Sequence, residues 1–386
     1  MTSRATGDVL LTGATGFVGM ELLARYLQRG DRDVVTLVRA GSQEDAQARI
    51  DGVLENLFGD EAPFYRPRVR AVAADMTAPG LGLSDAERDE VAERVTKIVH
   101  SAASVSFTLE LEEARAINLE GTRRMLELAG LVRERGGLEC YAHISTAFVA
   151  GDHPGPFAEC DHDVGQSFHN SYEQSKFEAE QLIRSQEGLP YTILRPSIVV
   201  GDRNNGWTAA FNVLYWPLRA FARGLFTAVP ADPSAPVDVV SIDYVADAAY
   251  QLCETSCGNG ATYHLTAGRD ASTIGELAGL ASRYFRRPVP RVVPPAEFAA
   301  MTLGAAERKA LEAGSEYFPY FSMEGTFDDR ETRKRLEPDG ITTAPLRDYV
   351  DRLLDFATRS RWGKRPIARS EAFAAPALPL PLRAAS

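Results

Sequence analysis

Through the first half of the chain, short apolar runs alternate with longer stretches in which apolar residues recur every three or four positions. The runs are DVLL (Asp8–Leu11), VVTLV (Val34–Val38), VRAVAA (Val69–Ala74), KIVHSAA (Lys97–Ala103), CYAHIS (Cys140–Ser145) and YTILRP (Tyr191–Pro196). Runs of this length predict strands buried on both faces. Between them, Phe17–Gln28 places Val18, Leu22, Leu23 and Leu27 on one helical face. Ala114–Arg135 does the same with Ile117, Leu119, Met125, Leu126 and Leu128. Strands alternating with helices predict an α/β fold: a doubly wound parallel sheet with right-handed crossovers.

The pattern loosens after Gly201. An aromatic and apolar stretch, WTAAFNVLYWPLRAFARGLF (Trp207–Phe226), comes first. One further strand at Asp238–Val240, a helix, and a last strand within YHLTAG (Tyr263–Gly268) return to the sheet pattern. From Asp270 the segments read as mostly helical, with proline-rich connectors at Pro288–Pro295. The expected organisation is a Rossmann-like dinucleotide-binding domain of residues 1–201 and 237–268. Residues 202–236 and 269–364 are expected to form a smaller, mostly helical C-terminal substrate-binding lobe. The Ala- and Pro-rich tail, 365–386, is expected to be disordered.

TGATGFVG (Thr12–Gly19) sits between the first strand and the first helix, with Gly13, Gly16 and Gly19 spaced three apart. Such a loop permits a tight turn and close approach of backbone to a pyrophosphate at a helix N-terminus. Thr12, Gly13, Thr15, Gly16, Phe17, Val18 and Gly19 are therefore candidate cofactor residues. A site for NAD places a carboxylate about 20 residues on, at the end of the second strand. Here that position holds Arg39, whose guanidinium suits a 2′-phosphate, so NADPH is the expected cofactor. Asp75, followed by Met76, ends the third strand and is placed to reach adenine or to cap a turn. Ser101, Ala102 and Ala103 end the fourth, where small residues let backbone lie against the cofactor. His100 is read as a packed histidine.

Tyr172 and Lys176 are four apart in NSYEQSKFEAE (Asn170–Glu180) and share a helical face. An ammonium beside a phenol favours its ionised form and makes proton exchange with a carbonyl oxygen feasible. Upstream, Ser145 and Thr146 lie at the carboxyl end of the fifth strand, where open parallel sheets place their active sites.

The chain has 386 residues, 45% hydrophobic and 25% charged, which is the balance of a globular protein and excludes a wholly disordered or fibrous one. Its net charge of −11 disfavours a nucleic-acid partner. The four cysteines, Cys140, Cys160, Cys253 and Cys257, form no disulfide framework and read as small buried or idle thiols. There is no secretory h-region at the N-terminus and no run long enough to span a membrane, so a cytoplasmic location is expected. The His- and Asp-rich loop Asp152–His169 fits no standard ligand spacing, and no metal is expected. The aromatic stretch has three readings: a lid over an apolar substrate, an interfacial helix with Arg219 and Arg223 at headgroup level, or plain core.

These motifs resemble the extended short-chain dehydrogenase/reductase superfamily. Within it, HSAASVSF (His100–Phe107), INLEGT (Ile117–Thr122), HISTAFV (His143–Val149), LRPSIVVG (Leu194–Gly201) and YFPYFSMEGTFDD (Tyr317–Asp329) resemble the fatty acyl-CoA reductase and thioester reductase branch. The resemblance implies a triad of Thr146, Tyr172 and Lys176, with Thr146 preferred to Ser145. It implies that Asn118 orders a water or supports the lysine, and that Pro196, Ser197 and Ile198 flank the nicotinamide. It further implies NADPH-dependent reduction of an acyl thioester, on CoA or on an acyl or peptidyl carrier protein, to an aldehyde or, by a second hydride, onward to an alcohol. A homodimer through paired helices on one sheet face is also implied.

The same triad serves hydroxysteroid dehydrogenase-like and sugar-nucleotide-modifying enzymes, and Arg219, Arg223, Arg286, Arg287 and Arg291 could anchor a diphosphate. A non-catalytic NADP-binding protein is the remaining alternative, and a broken triad would be its signature.

Overall fold

The computed structural model describes residues 7–211, 213–225, 227–312 and 314–374. Seven strands make one parallel sheet: β1 (Asp8–Thr12), β2 (Val34–Val38), β3 (Val69–Ala73), β4 (Val95–His100), β5 (Cys140–Ile144), β6 (Tyr191–Pro196) and β7 (Thr262–Leu265). Their order is β7-β6-β5-β4-β1-β2-β3. The chain reverses direction across the sheet between β1 and β4, and such a switch point opens a crevice at the carboxyl ends of the strands.

Helices cover both faces because the strand side chains alternate. Val9 and Leu11 face α1 (Phe17–Arg29), α2 (Gln43–Phe58) and a later helix, Ile242–Thr255. Leu10, Val35 and Ile98 face α3 (Asp85–Arg94) and α4 (Leu111–Arg135). α5 (Ser171–Arg184) packs beside α4. Local signals set the helix starts. Ser84 and Glu87 make a reciprocal capping box at α3, and the Asn170 side chain accepts from Glu173 N at 3.1 Å at α5.

After β6 the strand continues as Ile198–Val200, which pairs in parallel with Val239–Ser241. Between those two segments lies α6 (Tyr215–Ala222), followed later in the chain by α7 (Ile242–Thr255), α8 (Ile274–Phe285), α9 (Arg330–Leu336) and α10 (Val350–Arg359). Leu214, Leu218 and Phe221 pack with Ile274, Leu277, Leu280 and Leu353 in a separate apolar cluster. The proline-rich connector carries a short strand, Arg291–Val293, paired in parallel with Ala228–Pro230.

The aromatic stretch takes the core reading, and two expectations need correction. Only Tyr215–Ala222 of the aromatic stretch is helical. Its apolar side chains enter the lobe's own core, while Trp207 packs on Phe17 and bonds Ile367 O at 3.1 Å. Phe226 lies outside the described residues. The tail is ordered as far as Ala374: α11 (Arg369–Ala374) packs on α2, and Arg369 is buried in an ion pair with Glu21. The paired charges and the Trp207 contact supply what the composition lacks; residues 375–386 lie outside the described residues. Cys140 and Cys257 are joined in a disulfide, because the start of β5 and the loop after α7 bring their Cα atoms to 5.6 Å. Cys160 and Cys253 are free thiols. Among the described residues, no helix is long and apolar enough to cross a membrane, and no cluster of His, Cys, Asp and Glu could hold a metal ion.

Candidate active site

A cleft of about 690 Å³ lies at the carboxyl ends of β1, β4, β5 and β6. Its floor is the glycine loop. Gly13 has φ +76°, and a Cβ there would press on Ala102 N at 2.8 Å. A Cβ on Gly19 would overlap the Gly13 carbonyl. No side chain larger than hydrogen fits at either position. Gly16 caps α1 without a side-chain hydrogen bond, so the first N–H groups of that helix face the cleft unoccupied by a capping oxygen. This cradle fits the diphosphate of a dinucleotide. Thr12 ties the loop to the switch point: its hydroxyl accepts from Ser101 N at 3.1 Å and Ala102 N at 3.0 Å, and meets His100 Nδ1 at 2.8 Å. His100 is buried with its other nitrogen 3.4 Å from the Thr122 hydroxyl, and burial drives it down to about 3, so it is a neutral structural residue.

Gly13, Gly16, Phe17, Val18, Gly19, Ser101, Ala103, Thr146, Tyr172, Lys176, Pro196, Ser197 and Ile198 all line this one cleft. Thr12 and Ala102 stand directly behind its floor, and Thr15 is half-buried in the loop between them and α1. Arg39 is exposed at the end of β2, and Arg49 of α2 donates to its carbonyl, which stations a second guanidinium there. Asp75 Oδ1 accepts from Thr77 N at 2.8 Å and from the Thr77 hydroxyl at 2.7 Å. These bonds, with Arg39 and Arg124, hold its carboxyl below the usual range. Asp75 thus caps a turn; the next residue, Met76, receives Arg124 through its carbonyl at 2.8 Å. Asn118 lies behind the wall instead of in the cleft. Its amide donates to Ser104 O and to Ser175 Oγ, both at 3.0 Å, and accepts from Ser104 N at 2.8 Å.

At the reacting centre, Thr146 Oγ1 accepts from Phe148 N at 3.2 Å where β5 turns into its loop. Burial pushes the Tyr172 phenol up to about 12, against the pull of the Thr146 hydroxyl. The Lys176 Nζ donates to Ile144 O at 2.7 Å and to His143 Nε2 at 3.0 Å. Burial brings that ammonium down to about 7, with Glu180 opposing the drop.

The sequence reading passed over the aromatic wall. Phe107, Phe148, Tyr317 and Tyr320 line the cleft. All four sit inside motifs already quoted, HSAASVSF, HISTAFV and YFPYFS, so the signal was present. What was missing was that the third comes to lie over the first two. Two small cavities lie farther from the sheet. One, of about 30 Å³, has Phe148, Ile198, Val213 and Tyr320 in common with the cleft's lining and also touches Leu277 and Phe321. The other, of about 60 Å³, is lined by apolar residues that include Leu277, Phe321, Phe221 and Val292.

The His/Asp-rich loop is structural in most of its parts. His162 stacks on Phe177 at 4.2 Å, Asp152 accepts from Ser167 N at 2.7 Å, and buried Glu159 receives the N-terminus of α9 through Glu331 N at 2.8 Å and Thr332 N at 3.1 Å.

A parallel sheet with this switch point, a glycine cradle and a Tyr-x-x-x-Lys pair define an NAD(P)-binding short-chain dehydrogenase/reductase fold. Residues 11–249 match the family model NAD_binding_4, described as "Male sterility protein", and the chain belongs to that family. It is 36% identical over 255 residues to an isonitrile lipopeptide synthase of Streptomyces coeruleorubidus, across 64% of this chain and 17% of that protein. It is 30% identical over 280 residues to the fatty acyl-CoA reductase wat of Drosophila melanogaster, across 62% of this chain and 52% of that one. The chain thus spans about half, or less, of the length of these relatives. Among solved structures, the terminal R domain from the myxalamid PKS-NRPS biosynthetic pathway superposes with a TM-score of 0.80 at 27% identity, covering 95% of this chain and 94% of that one.

Proposed function

We propose that this chain reduces an acyl thioester, carried on CoA or on a carrier protein, to an aldehyde with NADPH. The observation that carries the reading is that Thr146, Tyr172 and Lys176 share one cleft with the glycine cradle, and that Phe107, Phe148, Tyr317 and Tyr320 give this cleft an aromatic wall. Similarity to a fatty acyl-CoA reductase and to a terminal R domain supports it. Arg39, with Arg49 beside it, supports NADPH over NADH, since paired guanidinium groups suit a 2′-phosphate.

A bound reduced nicotinamide supplies the hydride. The chain's own residues do the rest. Tyr172 and Thr146 hold the thioester oxygen as negative charge develops on it, and Tyr172 delivers the proton. The resulting hemithioacetal collapses with cleavage of the C–S bond, giving an aldehyde and a free thiol. Lys176 orients the ribose and replaces the lost proton. Pro196, Ser197 and Ile198 form the opposite wall. The proposed setting is the cytoplasm.

The test is NADPH consumption against a panel of acyl-CoA and carrier-bound thioesters, with aldehyde and alcohol quantified. Turnover with one of them, abolished in Tyr172→Phe, is the expected result. Tight NADPH binding with no thioester turned over, and turnover of a ketone, steroid or sugar nucleotide instead, would overturn it.

A further inference from the structure

The wall that faces Tyr172 comes from the far end of the chain. Tyr320, in the turn-like helix Ser315–Ser322, is 5% exposed. Its hydroxyl donates to Glu173 Oε1 and accepts from Asn170 Nδ2 at 2.7 Å. The Tyr320 ring stacks on Phe107 at 5.4 Å and meets Phe148 edge-on at 5.1 Å, and Phe107 lies 5.8 Å from the ring of Tyr172. Glu173 is 0% exposed, and its other oxygen accepts from His169 N at 2.9 Å and faces His169 Nδ1 at 3.0 Å.

A buried carboxylate is costly unless its oxygens are hydrogen-bonded. Packing alone explains no carboxylate here, since an apolar residue would fill the same volume. What the carboxylate achieves is a directional link between the first turn of α5 and a segment about 150 residues away in sequence. Glu173 is bonded through one peptide unit to Tyr172 and lies one turn before Lys176. Any shift of Glu173 therefore moves the phenol relative to Thr146. The ring of Tyr320, held in place by the same hydroxyl, completes the aromatic wall in which Phe107 meets the Tyr172 ring.

We infer that Tyr320 is a positioning residue for the reduction: through Glu173 and the Phe107–Phe148 wall it fixes Tyr172 against Thr146 and docks the C-terminal lobe over the reacting centre. This rests on Tyr172 being the proton donor proposed above.

The experiment compares Tyr320→Phe, Glu173→Ala, their double variant and Tyr172→Phe in the full chain, measuring kcat, KM for the thioester, NADPH Kd and Tm. Tyr320→Phe keeps the ring and removes the mooring hydroxyl. The expected result is a kcat lowered roughly ten- to hundredfold, the scale of a misplaced catalytic group. NADPH Kd should stay within about twofold, and the double variant should be no slower than the slower single one, as for two ends of one link. If Tyr320→Phe does not fold, Asn170→Ser, which keeps the capping oxygen and removes the amide donor to Tyr320, should show the same kcat-selective loss. A kcat within about twofold of the parent chain, or a loss that only follows the fraction of NADPH sites, overturns the inference while leaving a dead Tyr172→Phe in place. A Tyr172→Phe variant that turns over normally overturns the underlying reading and this inference with it.

Discussion

Lys176 Nζ lies 3.0 Å from His143 Nε2, and both side chains are buried at the carboxyl end of β5. Burial, then the neighbouring Lys176 and His100, hold His143 well below the ordinary histidine range, so the imidazole is neutral and accepts from the ammonium. Its proton then resides on Nδ1, which is buried without a partner. The lysine therefore pays a desolvation cost against a neutral acceptor and a main-chain carbonyl, with Glu180 as its compensating charge.

With Lys176 brought down to about 7, its ammonium is lost as pH rises through that value. The reaction requires the charged form, so kcat/KM for NADPH is expected to fall about tenfold per pH unit above neutrality, since that ratio reports groups of the free enzyme. A steady-state pH series from 6 to 9 checks this. A flat profile would mean that Lys176 keeps its proton throughout.

Arg39 is expected to set the choice between the two nicotinamide dinucleotides. A charge-assisted hydrogen bond of this kind contributes about 1.5–3 kcal/mol. Arg39→Ala should lower kcat/KM with NADPH roughly ten- to hundredfold and leave NADH nearly unchanged. Equal losses with both would place the 2′-phosphate elsewhere.

Glu180 and Arg195 form a fully buried pair, with Arg195 Nε 2.9 Å from Oε1 and Nη2 2.7 Å from Oε2. Burial opposes the charge on Glu180, but the Arg195 guanidinium overrides it and the carboxyl sits at about 2. A folded-state value below the unfolded one means that the stabilisation is present above the unfolded carboxylate range. It is lost as pH falls from there toward 2. Glu180→Ala leaves Arg195 buried and unpaired and should cost about 3–5 kcal/mol by denaturant unfolding at pH 7. It should also flatten the acid limb of the stability curve.

The Cys140–Cys257 link predicts two free thiols in protein unfolded without reductant, and four after reduction. With a sequence separation of 117, a chain-entropy account puts its stabilisation at up to about 5 kcal/mol. Reduction should therefore lower Tm by several degrees. Four thiols in oxidised, purified protein would show that the pair stays reduced.

Much of this was readable along the chain. The strand runs and the helices Phe17–Gln28 and Ala114–Arg135 correspond to β1–β6, α1 and α4 within three residues at each end. Burial on both faces of a parallel strand imposes an unbroken apolar run, and a covered helix imposes its stripe. The glycine loop was equally readable, because Gly13 and Gly19 are positions where no other residue fits the turn. The aromatic stretch left three readings open because hydrophobicity does not say which surface is covered: Trp207 went to the sheet's core and Leu218 to the lobe's.

The sequence by itself determined the parallel α/β architecture, the phosphate cradle and the order of hydroxyl, phenol and amine, since each is written in short local runs and motifs. Only the tertiary structure decided that Lys176 points down at His143, that Asn118 supports a wall, and that Tyr320 reaches Glu173. It also decided that Arg369 finds Glu21 and that Cys140 meets Cys257. Those contacts join segments tens to hundreds of residues apart. Their energies depend on burial and mutual geometry, which come into being only when the sheet and the C-terminal lobe have packed together.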